Sequence, residues 1–154
     1  MTPRSRTNQL LYQATLLLDV PAGEDEHAQA RRMAVEEGSL ALAELVLQSL
    51  LREVTEHAHL ERHDWRELLG PEGAGIAELQ RLRELAARPD SWLAWLIGKL
   101  EALHSSDVVA RRATGAARGL IAVGSGAALG DELRDCLDDA KAEIAALRET
   151  SEEW

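Results

Sequence analysis

The feature that most constrains this chain is the stretch from about Asp25 to His63, which contains no proline and is apolar on nearly every side of a helix. One face holds small and apolar residues: Ala34, Gly38, Ala41, Leu42 and Leu45. Most of the remaining surface is covered by Leu40, Leu47, Leu50, Leu51 and Val54. Helices that are apolar all round are buried on several sides. The stretch therefore predicts a long central helix that neighbouring helices or a second copy must cover.

Shorter helices are indicated on both sides of this stretch by apolar spacing, caps and breaks. A first helix is predicted from Pro3 or Ser5 to about Asp19, and later helices over 76–86, 92–103 and 131–149. Five glycines between Gly115 and Gly130 argue against a stable helix throughout that segment. We therefore expect one all-α domain over residues 1–154. Its architecture would be a bundle of about five helices with a long second helix and a Gly-rich segment before the last.

Composition supports this fold class. Ala and Leu supply 51 of the 154 residues, Val and Ile only 11, and Phe is absent. Because strands favour β-branched and aromatic residues, these numbers exclude an all-β fold and disfavour a parallel sheet. The formal charge of −10 repels phosphate, so no nucleic-acid partner is expected.

The single cysteine, Cys136, excludes an internal disulfide and fits a reducing compartment. No window reaches the 18 or more apolar residues that a membrane span requires, so we expect a cytoplasmic protein with no membrane contact.

The opening run Arg6-Thr7-Asn8-Gln9-Leu10-Leu11-Tyr12 resembles the N-terminal signature, Arg-Thr-Asn-Gln-x-Leu-Tyr, of an uncharacterised family of small bacterial proteins. Members are similar in length, have a helix with Trp-Leu-Ala, and end in an acidic stretch that closes on Trp, as Trp154 does here. The resemblance implies an all-helical domain. It implies no activity.

A helical ribonuclease is one alternative function. Arg52 and His57 have the Arg-x4-His spacing of HEPN-type ribonucleases, in which the pair acts on a phosphodiester. The acidic neighbours Glu53, Glu56 and Glu61 make a poor environment for RNA. A solvated helix end is the simpler interpretation of the same residues.

A ferritin-like metal site is another alternative. Such sites use Glu-x-x-His pairs on two helices, and this chain has three, beginning at Glu24, Glu56 and Glu101. The metal candidates are Glu56, His59, His63, Glu101 and His104. In a chain with 27 acids and five histidines, chance pairs are expected. No metal or cofactor is therefore predicted.

Binding candidates come from the opening motif and from two tryptophans: Arg6, Asn8, Gln9, Tyr12, Trp65 and Trp154. Asn8 and Tyr12 are neighbours on a helix, so we expect the polar groups of Asn8, Gln9 and Tyr12 to bond another segment, in particular the C-terminal helix. Trp65 and Trp154 are either exposed anchors or intramolecular plugs. The sequence favours a non-enzymatic interaction or adaptor protein, whose partner is another protein or a second copy in a homodimer.

Overall fold

A computed structural model of the chain describes residues 1–105 and 129–152. Those residues form six α-helices and one 3-10 turn, and no β-strand occurs among them. The helices are α1 (Pro3–Leu18), α2 (Ala28–Val54), α3 (Trp65–Leu68), α4 (Ala77–Ala87), α5 (Trp92–His104) and α6 (Leu129–Glu152). The predicted all-helical class is confirmed for this part. Of the predicted Gly-rich segment 115–130, only the last two residues lie within the described ranges, and they begin α6.

The first two helices pack side by side as an antiparallel hairpin. Thr2 caps α1 by accepting a hydrogen bond from the Ser5 backbone N–H at 3.1 Å, and Pro3 occupies the first turn, where its missing N–H costs nothing. The Ser39 hydroxyl of α2 donates to the Ala14 carbonyl of α1 at 2.9 Å. These contacts fix α1 against the middle of α2.

The second helix is shorter than predicted at both ends. Asp25 lies outside it and accepts from the backbone N–H of His27, so the helix begins at Ala28. It ends at Val54, and a 3-10 turn over Glu56–Ala58 follows. His59 then has a left-handed backbone with φ 50°. The side chains of residues 56–59 are exposed, so a longer helix would have had no packing face there to stabilise it.

Helix α2 touches α1, α3, α4, α5 and α6. Leu47, Leu50 and Leu51 are each at most 2% exposed, so the chain itself covers them. The opposite face, however, is open: Ala34, Ala41 and Leu45 are exposed. Among the described residues, no helix packs over this face, so the described helices cover α2 on only part of its surface.

Side-chain caps begin α3 and α5. The Asp64 carboxylate accepts from the Arg66 N–H at 3.0 Å and starts the four-residue α3, which the apolar spacing did not predict. The Ser91 hydroxyl accepts from the Ala94 N–H at 3.0 Å and starts α5. Helix α6 then contacts α1, α2 and α5 and buries one regular stripe: Leu133, Cys136, Leu137, Ala140, Ile144 and Leu147.

Candidate interaction surface

The two ribonuclease candidates lie on different elements. Arg52 is in the last turn of α2, whereas His57 is in the 3-10 turn beyond it, and both side chains are exposed. The charge of Arg52 acts instead on His63. Burial first, and the positive charge of Arg52 second, lower the pKa of His63 from its ordinary value. Arg52 and His57 therefore do not lie on one continuous helix, as the Arg-x4-His interpretation requires, because α2 ends between them.

The metal candidates are spread over several elements. Glu56 and His59 are exposed around the 3-10 turn, and Glu101 is exposed on α5. His104 is engaged by Glu44, with its Nε2 2.8 Å from Glu44 Oε2. Among residues 1–105 and 129–152, no group of three or more His, Cys, Asp or Glu side chains is arranged to hold a metal ion.

Trp65 is buried within the chain and is not an exposed anchor. It is 6% exposed, and its indole N–H donates to Glu44 Oε2 at 3.1 Å. The Arg66 guanidinium lies 4.4 Å from the ring centroid, within the range of a cation–π contact. Glu44 thus ties α3 and α5 to α2 through Trp65 and His104. Trp154, the other binding candidate of this kind, lies outside the described residues.

Within residues 1–105 and 129–152, one of the three expected long-range contacts of the opening motif is present. Arg148 of α6 donates from Nη1 to Asn8 Oδ1 at 2.9 Å, so Asn8 does bond the C-terminal helix. Gln9 Oε1 instead accepts from Arg6 Nη1 at 2.6 Å, within α1. The Tyr12 side chain is 64% exposed. Asn8 therefore links helices, while Tyr12 faces solvent.

Two polar contacts of the hairpin were missed by the sequence reasoning. The hydroxyls of Thr7 and Ser49 lie 2.8 Å apart in a buried position between α1 and α2. The guanidinium of Arg148 forms a bidentate ion pair with Glu53 of α2. Their partners are far away in sequence, so no local pattern could have indicated them.

Among the described residues, the large apolar side chains that are exposed, other than Met1, belong to the hairpin of α1 and α2. Tyr12, Leu16, Val20 and Leu45 are 64%, 47%, 50% and 42% exposed. Tyr12 and Leu16 are one helical turn apart on α1, and Val20 follows the helix directly. The spacing of four residues between Tyr12 and Leu16 was visible in the sequence. The structure adds that no described residue covers these two side chains.

The register of the hairpin fixes which residues of the two helices lie at the same level. Thr7 pairs with Ser49, and a Cβ on Gly38 would lie 3.0 Å from Leu17 Cδ2. In this antiparallel register Leu45 lies level with the turn of α1 around residue 10, and Ala41 lies level with Ala14. We name the exposed apolar side chains of α1, α2 and the residue Val20 the hairpin face, defined by Tyr12, Leu16, Val20, Ala34, Ala41 and Leu45.

The charge of the hairpin face differs from that of the whole chain. Helix α1 contains no Asp or Glu over Pro3–Leu18, although the chain has 27 of them. On α2, the exposed positions of the face are Ala34, Ala41 and Leu45. The six residues of the hairpin face include no Asp or Glu on a chain of net charge −10, and the partly exposed Glu37 of α2 lies beside Ala34 and Ala41. Exposed apolar side chains that lie together mark contact surfaces.

A second surface region lies between α5 and α6. Trp92, Trp95 and Asp135 help to line an open cavity of about 230 Å³ there, with Cys136 and Asp139. Burial first, and the negative charge of Asp139 second, raise the pKa of the Cys136 thiol to about 12. Because thiols react as thiolates, Cys136 is a core group and not a nucleophile.

The fold and the hairpin face together define an all-helical protein with one open apolar face on its first two helices. None of the helices in the described ranges has both the length and the apolar character that a membrane span needs. The chain belongs to a family of unknown function, DUF6586, whose model matches residues 1–154. No curated protein and no solved structure matches the chain.

Proposed function

We propose that the protein is a non-enzymatic interaction protein that binds a protein partner through the hairpin face. The observation that carries the proposal is the apolar exposure on both helices of the hairpin, together with the absence of Asp and Glu from α1. Exposed contiguous apolar surface on a soluble protein is a common mark of a protein contact. Tyr12 adds an aromatic side chain, a residue type enriched at the centres of interfaces.

The packing beneath the face supports this role. Leu10, Leu11 and Ala14 anchor α1 in the core, and Ala43 and Val46 do the same for α2. The face is therefore presented by two helices whose opposite sides are fixed. A rigid surface of this kind binds with a smaller ordering cost than a flexible segment does.

The chemistry of the surroundings favours a protein over a nucleic acid as the partner. The exposed arginines of the hairpin are Arg4, Arg6, Arg31, Arg32 and Arg52, and Arg4 and Arg31 are paired with Glu152 and Asp25. Nonspecific binding to DNA depends on many phosphate contacts, and the other three arginines supply few. With one cysteine, the chain suits a reducing compartment, and we place the interaction in the cytoplasm.

Photo-crosslinking in the source cell tests the proposal. A photoreactive amino acid replaces Leu16 or Leu45, and the matched control position is Ala145, which is exposed on α6. We expect covalent protein adducts from the two hairpin positions and none from the control. Ala41→Glu in the same chain is expected to abolish the adducts, because it places a charge in the apolar contact. Equal adducts at all three positions, or none at the hairpin, would contradict the proposal.

A further inference from the structure

We infer that a cavity at one end of the bundle is a binding site for an indole ring, and that Trp154 of the same chain supplies the ring. The cavity has a volume of about 130 Å³ and lies where α1, α2 and α6 meet. None of its lining residues belongs to the hairpin face, so the inference goes beyond the proposed function and does not depend on it. Trp154 itself lies outside the described residues.

The lining of the cavity is apolar in its buried part and fully paired in its charged part. Leu50 and Val54 of α2 and Leu147 of α6 are at most 9% exposed and provide the apolar part. The other lining residues are two ion pairs and one hydroxyl: Arg4 with Glu152, Arg148 with Glu53, and Ser151. Because each charge in the lining has a partner, the cavity suits an apolar group better than an ion.

The spacing of buried residues on α6 directs position 154 towards this cavity. Leu133, Ala140 and Leu147 are buried and seven residues apart, and the next position in the series is 154. Residues seven apart share one face of a helix. A helical side chain also leans towards the N-terminus, so it covers the turn before its own Cα. For position 154, that turn contains Ser151, which lines the cavity.

The short distance along the chain gives the same location without any assumption about the backbone. The described part of α6 ends at Glu152, which lines the cavity. Two residues span at most about 7 Å, so the Cα of Trp154 is within that distance of the Cα of Glu152. The indole is therefore tethered beside the cavity at a high effective concentration.

The size of the cavity fits an aromatic ring. An apolar cavity of roughly 150 Å³ accepts a benzene molecule. The present cavity is slightly smaller and half open to solvent, so it admits the six-membered ring of an indole and leaves the N–H edge at its mouth. Arginine side chains stack on indole rings, and Arg4 lines the cavity with a side chain that is 57% exposed.

The alternative is that Trp154 is an exposed anchor for another protein. In that arrangement the indole and the apolar part of the cavity both stay in contact with water. Docking removes apolar surface of both from water at once, and the tether keeps the entropic cost small. The intramolecular site is therefore the favoured place for the ring.

Substitution of Trp154 in the full chain is the first test. Trp154→Ala is expected to lower the Tm by about 4 °C or more, because a ring docked between three helices is lost. Glu149→Ala, at an exposed position of the same helix, is the matched control and should change the Tm by less than about 1 °C. An unchanged Tm in Trp154→Ala would overturn the inference.

Free indole tests the cavity directly. Added in excess to Trp154→Ala, it should raise the Tm and recover part of the loss, because it binds the vacated cavity of the folded chain. The wild type should not respond, since its cavity is already filled. An equal response of the two proteins, or no response of the variant, would show that the ring does not bind there.

Fluorine NMR locates the ring in the wild type. Biosynthetic 5-fluorotryptophan labels all four tryptophans, and Trp154→Phe identifies the resonance of Trp154 by its loss. The change in chemical shift between light and heavy water measures the contact of each fluorine with solvent. We expect a smaller change for Trp154 than for free 5-fluorotryptophan. A change as large as that of the free amino acid would show an exposed anchor and overturn the inference.

A competing ring at the rim distinguishes this cavity from any other buried place. Ser151→Phe introduces a ring that competes for the cavity and should expose Trp154 to solvent in the fluorine experiment. Thr150→Phe is the matched control, because Thr150 is exposed on α6 but does not line the cavity. A shielded Trp154 that does not respond to Ser151→Phe would be docked elsewhere, and the inference would be wrong. None of these variants alters the hairpin face, so the proposed function is tested separately.

Discussion

Arg148 of α6 holds Glu53 of α2 in a bidentate ion pair, with 2.6 Å from Nε to Oε1 and 3.1 Å from Nη2 to Oε2. The two side chains are only 18% and 13% exposed. The remaining Nη1 group of the same guanidinium donates to Asn8 of α1. One side chain on the last helix therefore joins the first two helices at the end of the hairpin that carries Arg6 and Arg52.

Removal of Arg148 should be costly because it leaves Glu53 as an unpaired, mostly buried carboxylate. We expect Arg148→Met to lower the free energy of unfolding by about 2 kcal/mol, measured by urea denaturation. The double variant Arg148→Met/Glu53→Met should recover much of that loss. Arg4→Met is the control, because its ion pair with Glu152 is more than half exposed and should contribute less than about 0.5 kcal/mol. Equal losses for the two single variants would contradict this account.

The titration of His63 should depend on Arg52. Burial and then the charge of Arg52 lower the pKa of His63, so the folded state favours the neutral ring. The corresponding stability is present above the ordinary pKa of 6.5 and is lost as the pH falls through the lowered folded value. In an NMR titration, Arg52→Met is expected to raise the pKa of His63 but to leave it below 6.5, since burial remains. Arg62→Met serves as the control and should produce a smaller change.

Much of the fold was predictable from local signals. The bounds of α1, α4 and α5 agree with the predicted ones to within about two residues, since caps such as Ser91 act over a single turn. The end of α2 was not predictable in this way. Residues 55–63 contain no proline or glycine, and the helix stops there for lack of a packing partner, which is a tertiary property.

The candidate site was less predictable than the fold. The sequence identified its apolar members on α2, where Ala34, Ala41 and Leu45 were expected to be covered by neighbouring helices or a second copy. Periodicity shows which residues share a face but not whether a neighbour covers that face. The sequence also could not show that Trp65 is buried, because its hydrogen-bond partner Glu44 lies on another helix. Exposure had to come from the structure.

Cys136 should be unreactive in the folded protein. Burial and Asp139 raise the pKa of its thiol from 9.0 to about 12. We expect slow reaction with a disulfide reagent at neutral pH and rapid reaction after unfolding in urea. The raised pKa contributes stability that is fully present below pH 9.0 and is lost as the pH rises towards about 12. Cys136→Ala should remove this part of the alkaline loss. A thiol that reacts equally fast before and after unfolding would contradict its place in the core.

Two helical glycines should respond differently to alanine. Around Gly98 of α5 no atom lies within 4 Å of an added Cβ, so Gly98→Ala should raise the free energy of unfolding by about 0.5–1 kcal/mol through helix propensity alone. A Cβ on Gly38 would lie 3.0 Å from Leu17 Cδ2, at the tip of a partly exposed side chain that must move to admit it. Gly38→Ala should therefore stabilise by less than Gly98→Ala. Thermal denaturation followed by circular dichroism measures both, and a larger gain at Gly38 would show that α1 and α2 are not in close contact there.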